Sequence, residues 1–256
     1  MKQLYGPKLG KKMRVYVFGS GSGTNLEALL RSSCDIFEVC GIFVDRPCNC
    51  VNIGQRNNIP VLYMGEGPGK TREERDNILL GMLNRFQDAT GSIDLIALAG
   101  YMRIISKPLV EAFEDRIVNV HPADLSITDK EGMRKYKGGK AVENVLAAGE
   151  YTTRSTVHLV SPEMDEGQII VRSKELSLKG YSTSDSKIVR GIQKQRCDWP
   201  AYVFSVTAIA QGRVAIDGYG VLCFDGQQQK DGVDLGLLWN DTNDPAIIAA
   251  RKVMGE

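Results

Sequence analysis

Short apolar runs alternate with amphipathic stretches through the first half of the chain. The apolar runs cover residues 14–18, 39–44, 94–99 and 117–120. Because they are mostly apolar rather than alternately polar, they predict strands buried on both faces, as in a parallel sheet. The stretches at residues 26–31, 71–86 and 106–115 have helical spacing. The pattern predicts an α/β fold, a Rossmann-like, mostly parallel sheet with helices on both faces.

The second half of the chain has a mixed pattern. Residues 140–150 have helical spacing, and STVHLVS (155–161) and residues 168–172 predict neighbouring strands joined by PEMDEG. Residues 185–196 and 201–210 predict two helices that Asp198-Trp-Pro separates. The turn-rich GRVAIDGYGVLCFDG predicts a hairpin, and the polar tail 227–256 is expected to be peripheral. No repeat or low-complexity linker divides the sequence, so a single domain over residues 1–256 is expected.

Charge and composition exclude several classes of function. The 32 basic and 31 acidic residues nearly cancel, which argues against a nucleic-acid partner held by bulk charge and favours a small anion. No stretch approaches the roughly 20 apolar residues of a membrane span, and the N-terminal apolar run is too short for a signal sequence. The expected location is the cytoplasm.

The six cysteines are Cys34, Cys40, Cys48, Cys50, Cys197 and Cys223. In a chain of ordinary composition without a secretion signal, reduced thiols are the expected state. Cys48 and Cys50, in DRPCNCVN, lack the second pair that a structural zinc site usually has, so no zinc is expected there.

The segment Gly19-Ser-Gly-Ser-Gly-Thr-Asn25 follows a predicted strand and opens a predicted helix. This is the geometry in which free backbone N–H groups and the helix dipole hold an anion. Only part of the dinucleotide fingerprint is present, and no P-loop lysine follows Gly23. Asp45 ends the second strand where a ribose-binding acid would lie, so a nicotinamide site stays open, as does a simple tight turn. A phosphate monoester fits best, with Thr24 and Asn25 adding side-chain donors.

The sequence Arg-Ile-Val-Asn-Val-His-Pro places Asn119 and His121 two residues apart at a strand end. Residues two apart share one face of a strand, so both side chains should project together before Pro122 ends the ladder. Asp165, in the turn between two later strands, is within reach if those strands extend the same sheet. A carboxylate beside the imidazole would raise its pKa, and an imidazolium with an amide could stabilise an oxyanion. His158, on STVHLV, is expected to be structural or supporting.

Four segments together are similar to one family. GSGSGTNLEALL, LAGYMRIIS, NVHP and STVHLVSPEMDEGQII occur in the order found in the glycinamide ribonucleotide formyltransferases, folate-dependent transferases of purine biosynthesis. The resemblance runs from about residue 14 to residue 172. It implies the formyltransferase fold, with a nucleotide-binding half at 13–125 and a folate-binding half at 126–226.

The resemblance also implies roles for particular residues. Asn119, His121 and Asp165 would be catalytic, with His121 as the proton donor. Gly23, Thr24 and Asn25 would hold the substrate phosphate. The 10-formyltetrahydrofolate site would be lined by Arg72, Met102, Arg103, Ile104, Ile105 and Asn119, and the 161–165 loop would close over the pterin. The implied partners are therefore glycinamide ribonucleotide and the formyl folate, without metal, nucleic acid or membrane, in a monomer or homodimer.

The chain departs from the family pattern at three places, one of which is the segment after about residue 227 that has no counterpart in the family. It also leaves other functions open. A longer, charged loop (residues 123–139) follows His121, and the predicted C-terminal helix carries Gln193, Gln195 and Arg196 where a glutamate is usual. Formyltransferases acting on tRNA or sugars share the Asn-His and Asp elements. The folate hydrolase usually has an N-terminal regulatory domain, which twelve residues before the first strand cannot supply. A nicotinamide-dependent reductase and a non-catalytic nucleotide-binding module are the remaining alternatives.

Overall fold

A computed structural model describes residues 1–33, 35–65, 69 and 71–256. Its strands are β1 (Lys2–Gln3), β2 (Met13–Gly19), β3 (Phe37–Val44), β4 (Val61–Tyr63), β5 (Leu95–Leu98), β6 (Ile117–His121), β7 (Thr152–Thr153), β8 (Thr156–Leu159), β9 (Ile169–Arg172), β10 (Leu176–Ser177), β11 (Val214–Ile216), β12 (Leu222–Phe224), β13 (Gln227–Gln228) and β14 (Val233–Asp234). Its α-helices are α1 (Thr24–Ser32), α2 (Asn49–Arg56), α3 (Arg72–Thr90), α4 (Lys107–Ala112), α5 (Ala141–Ala147), α6 (Ser186–Gln193), α7 (Trp199–Ala210), α8 (Leu235–Leu238) and α9 (Pro245–Lys252).

A large central sheet organises the chain, and its strands lie in the order β14-β9-β8-β6-β5-β2-β3-β4. Neighbouring strands run parallel except at β8, which pairs antiparallel with both β6 and β9. The predicted α/β fold with a mostly parallel sheet is confirmed, and so is the antiparallel hairpin of β11 and β12.

The central residues of β2, Val15 to Phe18, show why four successive positions of this strand are apolar. Val15 and Val17 face one side of the sheet and join a core with residues of α1, α7 and α9. Tyr16 and Phe18 face the other side and join a core with residues of α3 and α4. All four side chains are fully buried. Helices on both faces therefore remove both sets of side chains from water, as expected for a parallel sheet.

The strand order reverses at β2, which lies between β3 on one side and β5 on the other. The loops that leave the carboxyl ends of β2 and β5 diverge at such a switch point and open a crevice between them. The 20–25 and 99–106 segments form these loops. The fold thus places the glycine-rich segment and the LAGYMRIIS segment on opposite sides of one cleft.

The predicted break at Asp198-Trp-Pro is wrong, because the chain stays helical through it. A π-helical turn, Lys194–Asp198, joins α6 directly to α7. Pro200 is the second residue of α7, directly after this turn. The wider π turn preceding Pro200 allows the helix to continue.

The expectation of a peripheral tail after residue 226 is also wrong. Strand β14 extends the central sheet beside β9, with Val233 opposite Val171. Helix α9 packs against α7 and buries Ala246, Ile247 and Ala250 in the main core. A two-residue strand and an eight-residue helix are too short to give a clear hydrophobic period, which is why the sequence did not reveal them.

Candidate active site

A cleft of about 350 Å³ opens at the carboxyl ends of β2, β5 and β6. The glycine-rich loop after β2 and the loop after β5 form two of its walls. The end of β6 and the turn between β8 and β9 form the third, and the last turns of α6 with the π turn close it. The cleft therefore lies at the switch point of the sheet, where ligands bind in open α/β folds.

The structure brings Asn119, His121 and Asp165 together in this cleft. Asn119 and His121 project from the same face of β6, as their spacing predicts. The Nδ1 atom of His121 lies 3.4 Å from Oδ2 of Asp165. Since β8 and β9 pair next to β6, the turn between them carries Asp165 to the end of that strand.

The Asp165 turn is held in a fixed shape. Asp165 has a left-handed backbone with φ 57°, and the backbone N–H of Gly138 donates to its Oδ2 at 2.8 Å. Arg134 donates to the Asp165 carbonyl, and Lys137 lies 2.6 Å from Glu166. The long charged loop after His121 thus folds onto this turn and helps to fix the carboxylate.

Both ring nitrogens of His121 face oxygen atoms of the protein. Nε2 donates to the carbonyl of Tyr136 at 2.6 Å, and Nδ1 faces Asp165. Burial lowers the pKa of His121 below its ordinary value and outweighs Asp165 and the Tyr136 carbonyl, which both raise it. The expected raised pKa is therefore wrong: the ring is 4% exposed, and the loss of hydration exceeds the effect of the carboxylate.

His158 takes part in the same network. Its Nδ1 donates to the carbonyl of Leu159 at 2.8 Å, so in the neutral ring Nε2 accepts from the Asn119 amide at 3.2 Å. The same Nε2 lies 3.6 Å from Oδ1 of Asp165. This contact orients the Asn119 amide and leaves its second N–H for a ligand.

The Asp165 carboxyl stays ionised in this environment. Burial raises its pKa, but the neighbouring His158 and His121 rings and the Gly138 N–H together hold the pKa well below its usual range. The site therefore combines a fixed negative charge with an imidazole that burial favours in the neutral form. An amide donor and an imidazole N–H beside a carboxylate can stabilise an oxyanion and assist proton transfer.

The glycine-rich loop ends at the N-terminus of α1. Gly23 precedes the helix with φ 76°, and a Cβ atom there would lie 2.4 Å from Cδ1 of Ile53. Thr24 and Asn25 form the first turn, whose free N–H groups face the cleft. Asn25 is buried, and its Oδ1 has no hydrogen-bond partner among the described residues. The helix dipole and the free backbone N–H groups of this turn can hold an anion.

The 101–106 loop lines the opposite wall, and hydrogen bonds to two other segments hold its backbone. The Ser20 hydroxyl accepts from the Met102 N–H at 3.1 Å, and the buried Asp76 carboxylate accepts from the Ser106 N–H at 2.7 Å. Met102 and Ile104 are exposed, whereas Ile105 is buried. The loop therefore presents apolar side chains to the cleft from a fixed backbone.

Asp45 and Arg103 form an ion pair, with 2.7 Å between Oδ2 and Nε. Arg46 also contacts this carboxylate, and the Asp45 side chain is 1% exposed. A carboxylate occupied in this way cannot reach a ribose hydroxyl, which argues against the nicotinamide site. Arg103 lines the cleft as expected, but Arg72 does not. Arg72 is exposed at the start of α3 and lies outside the cleft lining.

Sequence reasoning missed three cleft residues that share one helical face: Arg190, Lys194 and Asp198. Asp198 is buried and accepts from the Ser155 hydroxyl at 2.5 Å. Gln195 and Arg196 are exposed outside the cleft. Their spacing of four is a helical period, but the predicted break at Asp198-Trp-Pro concealed that Asp198 continues the same face.

Gln193, the other helical residue that the sequence analysis singled out, is buried away from the cleft lining. It donates to the Arg154 carbonyl at 3.0 Å and to the Ser155 hydroxyl at 3.3 Å. Its role in the structure is therefore to link α6 to the start of β8.

Among the described residues, no group of three or more His, Cys, Asp or Glu side chains is arranged to hold a metal ion. No helix within this part of the chain is long and apolar enough to cross a membrane. Five cysteines are free thiols: Cys40, Cys48, Cys50, Cys197 and Cys223. Cys34 lies outside the described residues.

Residues 13–194 match the family model described as "Formyl transferase". The chain is 31% identical over 217 residues to the trifunctional purine biosynthetic protein adenosine-3 of Gallus gallus, with 83% of this chain covered. It spans only about a fifth (20%) of the length of that relative. It is 29% identical to the chloroplastic phosphoribosylglycinamide formyltransferase of Arabidopsis thaliana, covering 86% of this chain and 73% of the relative.

The fold is also similar to that of a solved structure. Glycinamide ribonucleotide transformylase 1 from Symbiobacterium toebii superposes with a TM-score of 0.70 at 26% identity. The match covers 85% of this chain and 99% of that one. Residues 195–256, which follow the match to the family model, include the C-terminal elements that complete the sheet and the core.

Proposed function

The chain belongs to the formyl transferase family, and from this premise we propose that it transfers the formyl group of 10-formyltetrahydrofolate to the amine of glycinamide ribonucleotide in purine biosynthesis. One observation carries the proposal. The side chains of Asn119, His121 and Asp165 converge in the same cleft as a glycine-rich helix N-terminus. That cleft can hold a reacting carbonyl and an anion together, as a phosphorylated amine and a formyl donor require.

In the proposed reaction the substrate amine attacks the formyl carbon directly. The carbon becomes tetrahedral, and its oxygen takes a negative charge that the Asn119 N–H and the His121 N–H stabilise. A neutral imidazole can serve as such a donor, because it keeps one N–H. The formyl oxygen must then compete with the Tyr136 carbonyl for Nε2–H of His121.

Collapse of the intermediate breaks the bond from the formyl carbon to the folate nitrogen. The attacking amine must lose a proton, and the leaving nitrogen must gain one. The ionised Asp165 carboxylate can take part in this transfer, directly or through water, while it orients His121. No step requires a covalent enzyme intermediate.

We assign the two ends of the cleft to the two substrates. The N-terminus of α1, with Gly23, Thr24 and Asn25, would hold the ribonucleotide phosphate. The apolar loop with Met102, Arg103, Ile104 and Ile105 would receive the folate, together with Asn119 and the 161–165 turn. We leave Arg72 out of this site because its exposed position on α3 is outside the cleft lining.

A spectrophotometric assay of folate deformylation, with and without glycinamide ribonucleotide, tests the proposal. We expect loss of the formyl group only when the amine substrate is present. Deformylation without the amine would instead identify a folate hydrolase. No reaction under either condition, with nucleotide still bound, would identify a non-catalytic binding module.

The proposal also concerns the substrates, the location and the oligomeric state of the protein. Both substrates are small molecules, and the formyl folate is a co-substrate. A cytoplasmic location stays a prediction from the reduced thiols, since the name of one relative places that protein in the chloroplast. Monomer and homodimer both stay open, and sedimentation of the purified chain would decide between them.

A further inference from the structure

Three consecutive residues at the start of α2, residues 48–50, contact backbone carbonyls of the glycine-rich loop. The Cys48 thiol faces the carbonyl of Gly19 at 4.0 Å, and the Cys50 thiol faces the carbonyl of Gly21 at 3.9 Å. Between them, the Asn49 amide donates to the carbonyl of Ser22 at 2.9 Å. The loop thus depends on the N-terminus of α2 for its shape.

The two thiols are near neighbours, since the Cys48 thiol is close enough to raise the pKa of Cys50. Cys48 is partly exposed, whereas Cys50 is buried. A small oxidant can therefore reach the first sulfur, and the second lies next to it. Neither thiol has a role in the proposed formyl transfer.

The backbone geometry suits a bond between these sulfurs. The Cα separation of residues two apart is set by the residue between them, and Asn49 is the first residue of α2. Helical geometry at that position gives a Cα separation of about 5.4 Å. Disulfides usually span Cα distances of about 4.4–6.8 Å. The Cα separation at this position therefore lies within the range that a disulfide spans.

There is no free space between Cys50 and the loop. A Cβ atom on Gly19 would lie 2.6 Å from the Cys50 sulfur, and one on Gly23 would lie 3.3 Å from it. If this sulfur turned toward Cys48, it would leave its contacts under Gly19 and Gly23 and lose its interaction with the Gly21 carbonyl. Oxidation would thus be transmitted to the loop that opens α1.

We propose that Cys48 and Cys50 form a reversible oxidation site whose disulfide distorts the glycine-rich loop and weakens binding of the phosphorylated substrate. The effect on substrate binding rests on the proposed function. With hydrogen peroxide as oxidant, the Cys48 thiol loses a proton, attacks the O–O bond and becomes a sulfenic acid, releasing water. The Cys50 thiol then attacks that sulfur, and a second water leaves. Two thiols are oxidised, and one peroxide is reduced to two waters.

The order of these steps follows from the two environments. Burial raises the pKa of the Cys50 thiol to about 12, so Cys50 is a poor first nucleophile. The more exposed Cys48 reacts first, and the adjacent Cys50 resolves the sulfenic acid before further oxidation.

The test compares the reduced full chain with the same chain after peroxide treatment and removal of the peroxide. We expect a peptide containing both residues to become lighter by two hydrogen atoms, with two thiols lost per chain. The KM for glycinamide ribonucleotide should rise by about tenfold or more, a change of at least about 1.4 kcal/mol in binding. A dithiol reductant should restore it.

Two serine variants make the test specific. Cys48→Ser should keep its KM through the peroxide treatment. Cys40→Ser is the matched control, because Cys40 is also a partly exposed thiol but lies in β3; it should respond like the parent chain. Absence of the Cys48–Cys50 bridge, or an unchanged KM in the bridged chain, would refute the proposal.

A second measurement separates this proposal from the proposed function. Hydrogen exchange at the amides of residues 20–25 reports the loop conformation without any substrate. Faster exchange in the bridged chain would support the oxidation site even if the reduced chain transferred no formyl group. Unchanged exchange in a bridged chain would refute it.

Discussion

The carboxylate of Asp165 lies 3.4 Å from Nδ1 of His121, although the two residues belong to separate segments of the chain. Strand β6 carries the imidazole, and the turn between β8 and β9 carries the carboxylate. The antiparallel strand β8 returns the chain beside β6 and makes this meeting possible. The chemistry of the site therefore depends on the one strand that departs from the parallel pattern.

Replacing His121 with alanine tests its role as a donor. We expect kcat to fall by about a hundred- to ten-thousand-fold, the usual contribution of general acid–base catalysis. Folate affinity, measured by calorimetry, should change little, because the 101–105 loop is held by other residues. Near-normal turnover in His121→Ala would remove this residue from the mechanism.

The pH dependence of kcat/KM tests the protonation state of His121. Its folded pKa lies below the ordinary value near 6.5, so the neutral ring predominates at neutral pH. If the neutral ring is the active form, kcat/KM should be level at neutral pH and decline as the pH falls through the folded pKa. A rate that instead rises on acidification would show that the imidazolium is the active form.

Asp165→Asn refines that measurement. The negative charge of Asp165 raises the pKa of His121, so removing the charge should lower this pKa further. The acidic limb of the variant should then begin at lower pH than in the parent chain, whatever the loss in maximal rate. An acidic limb at the same pH in both proteins would mean that another group controls it.

Gly23→Ala and Gly21→Ala form a matched pair on the glycine-rich loop. At Gly23, φ is 76° and a Cβ would meet Ile53, whereas a Cβ at Gly21 would have open space. We expect Gly23→Ala to lower the free energy of unfolding by about 1–3 kcal/mol, the cost of a strained backbone. Gly21→Ala should leave it nearly unchanged. Urea unfolding of both variants measures the difference, and equal losses would contradict the described loop conformation.

The sequence was informative where local pattern and strand geometry decide the structure. The apolar runs located the strands of the sheet, since both Val17 and Phe18 must be buried when helices cover both faces. The two-residue spacing of Asn119 and His121 placed their side chains together, because strand periodicity is rigid. The position of Asp165 followed once its turn was assigned to the same sheet.

Other features depend on contacts that no local pattern encodes. The Tyr136 carbonyl is a backbone group that every residue has, so the amino acid at position 136 does not predict the hydrogen bond to His121. Asp198 lines the cleft because the chain stays helical through the predicted break at Asp198-Trp-Pro. The strand of Val233 is too short to be recognised and forms because β9 offers a free edge.

Asp198→Asn should change how stability depends on pH. Burial raises the pKa of Asp198 to about 6, above the ordinary value of about 3.9 in the unfolded chain. The folded state therefore binds the proton more tightly, and stability is lost as the pH rises through this interval. The neutral amide avoids that loss, and the Ser155 hydroxyl can turn to accept from it. At neutral pH we expect the variant to gain about 3 kcal/mol relative to the parent.

The measurement for Asp198 is the difference in unfolding free energy between the two proteins across the acidic and neutral range. The difference should grow as the pH rises from about 4 to about 6 and then stay constant. Parallel profiles would show that the carboxyl is not desolvated in the folded chain.

Ile247 and Ile248 test whether the C-terminal helix is part of the core. Ile247 is fully buried against the main cluster, and Ile248, the next residue on α9, is 50% exposed. Truncating a buried isoleucine removes apolar contacts and leaves a cavity, so Ile247→Ala should cost about 2–5 kcal/mol in urea unfolding. Ile248→Ala should change the free energy by no more than about 0.5 kcal/mol. Similar small effects from both would mean that α9 does not dock on α7. A large effect from Ile247 alone would mean that α9 stabilises α7. The π turn that carries Asp198 immediately precedes α7, so the C-terminal helix would then also support the cleft.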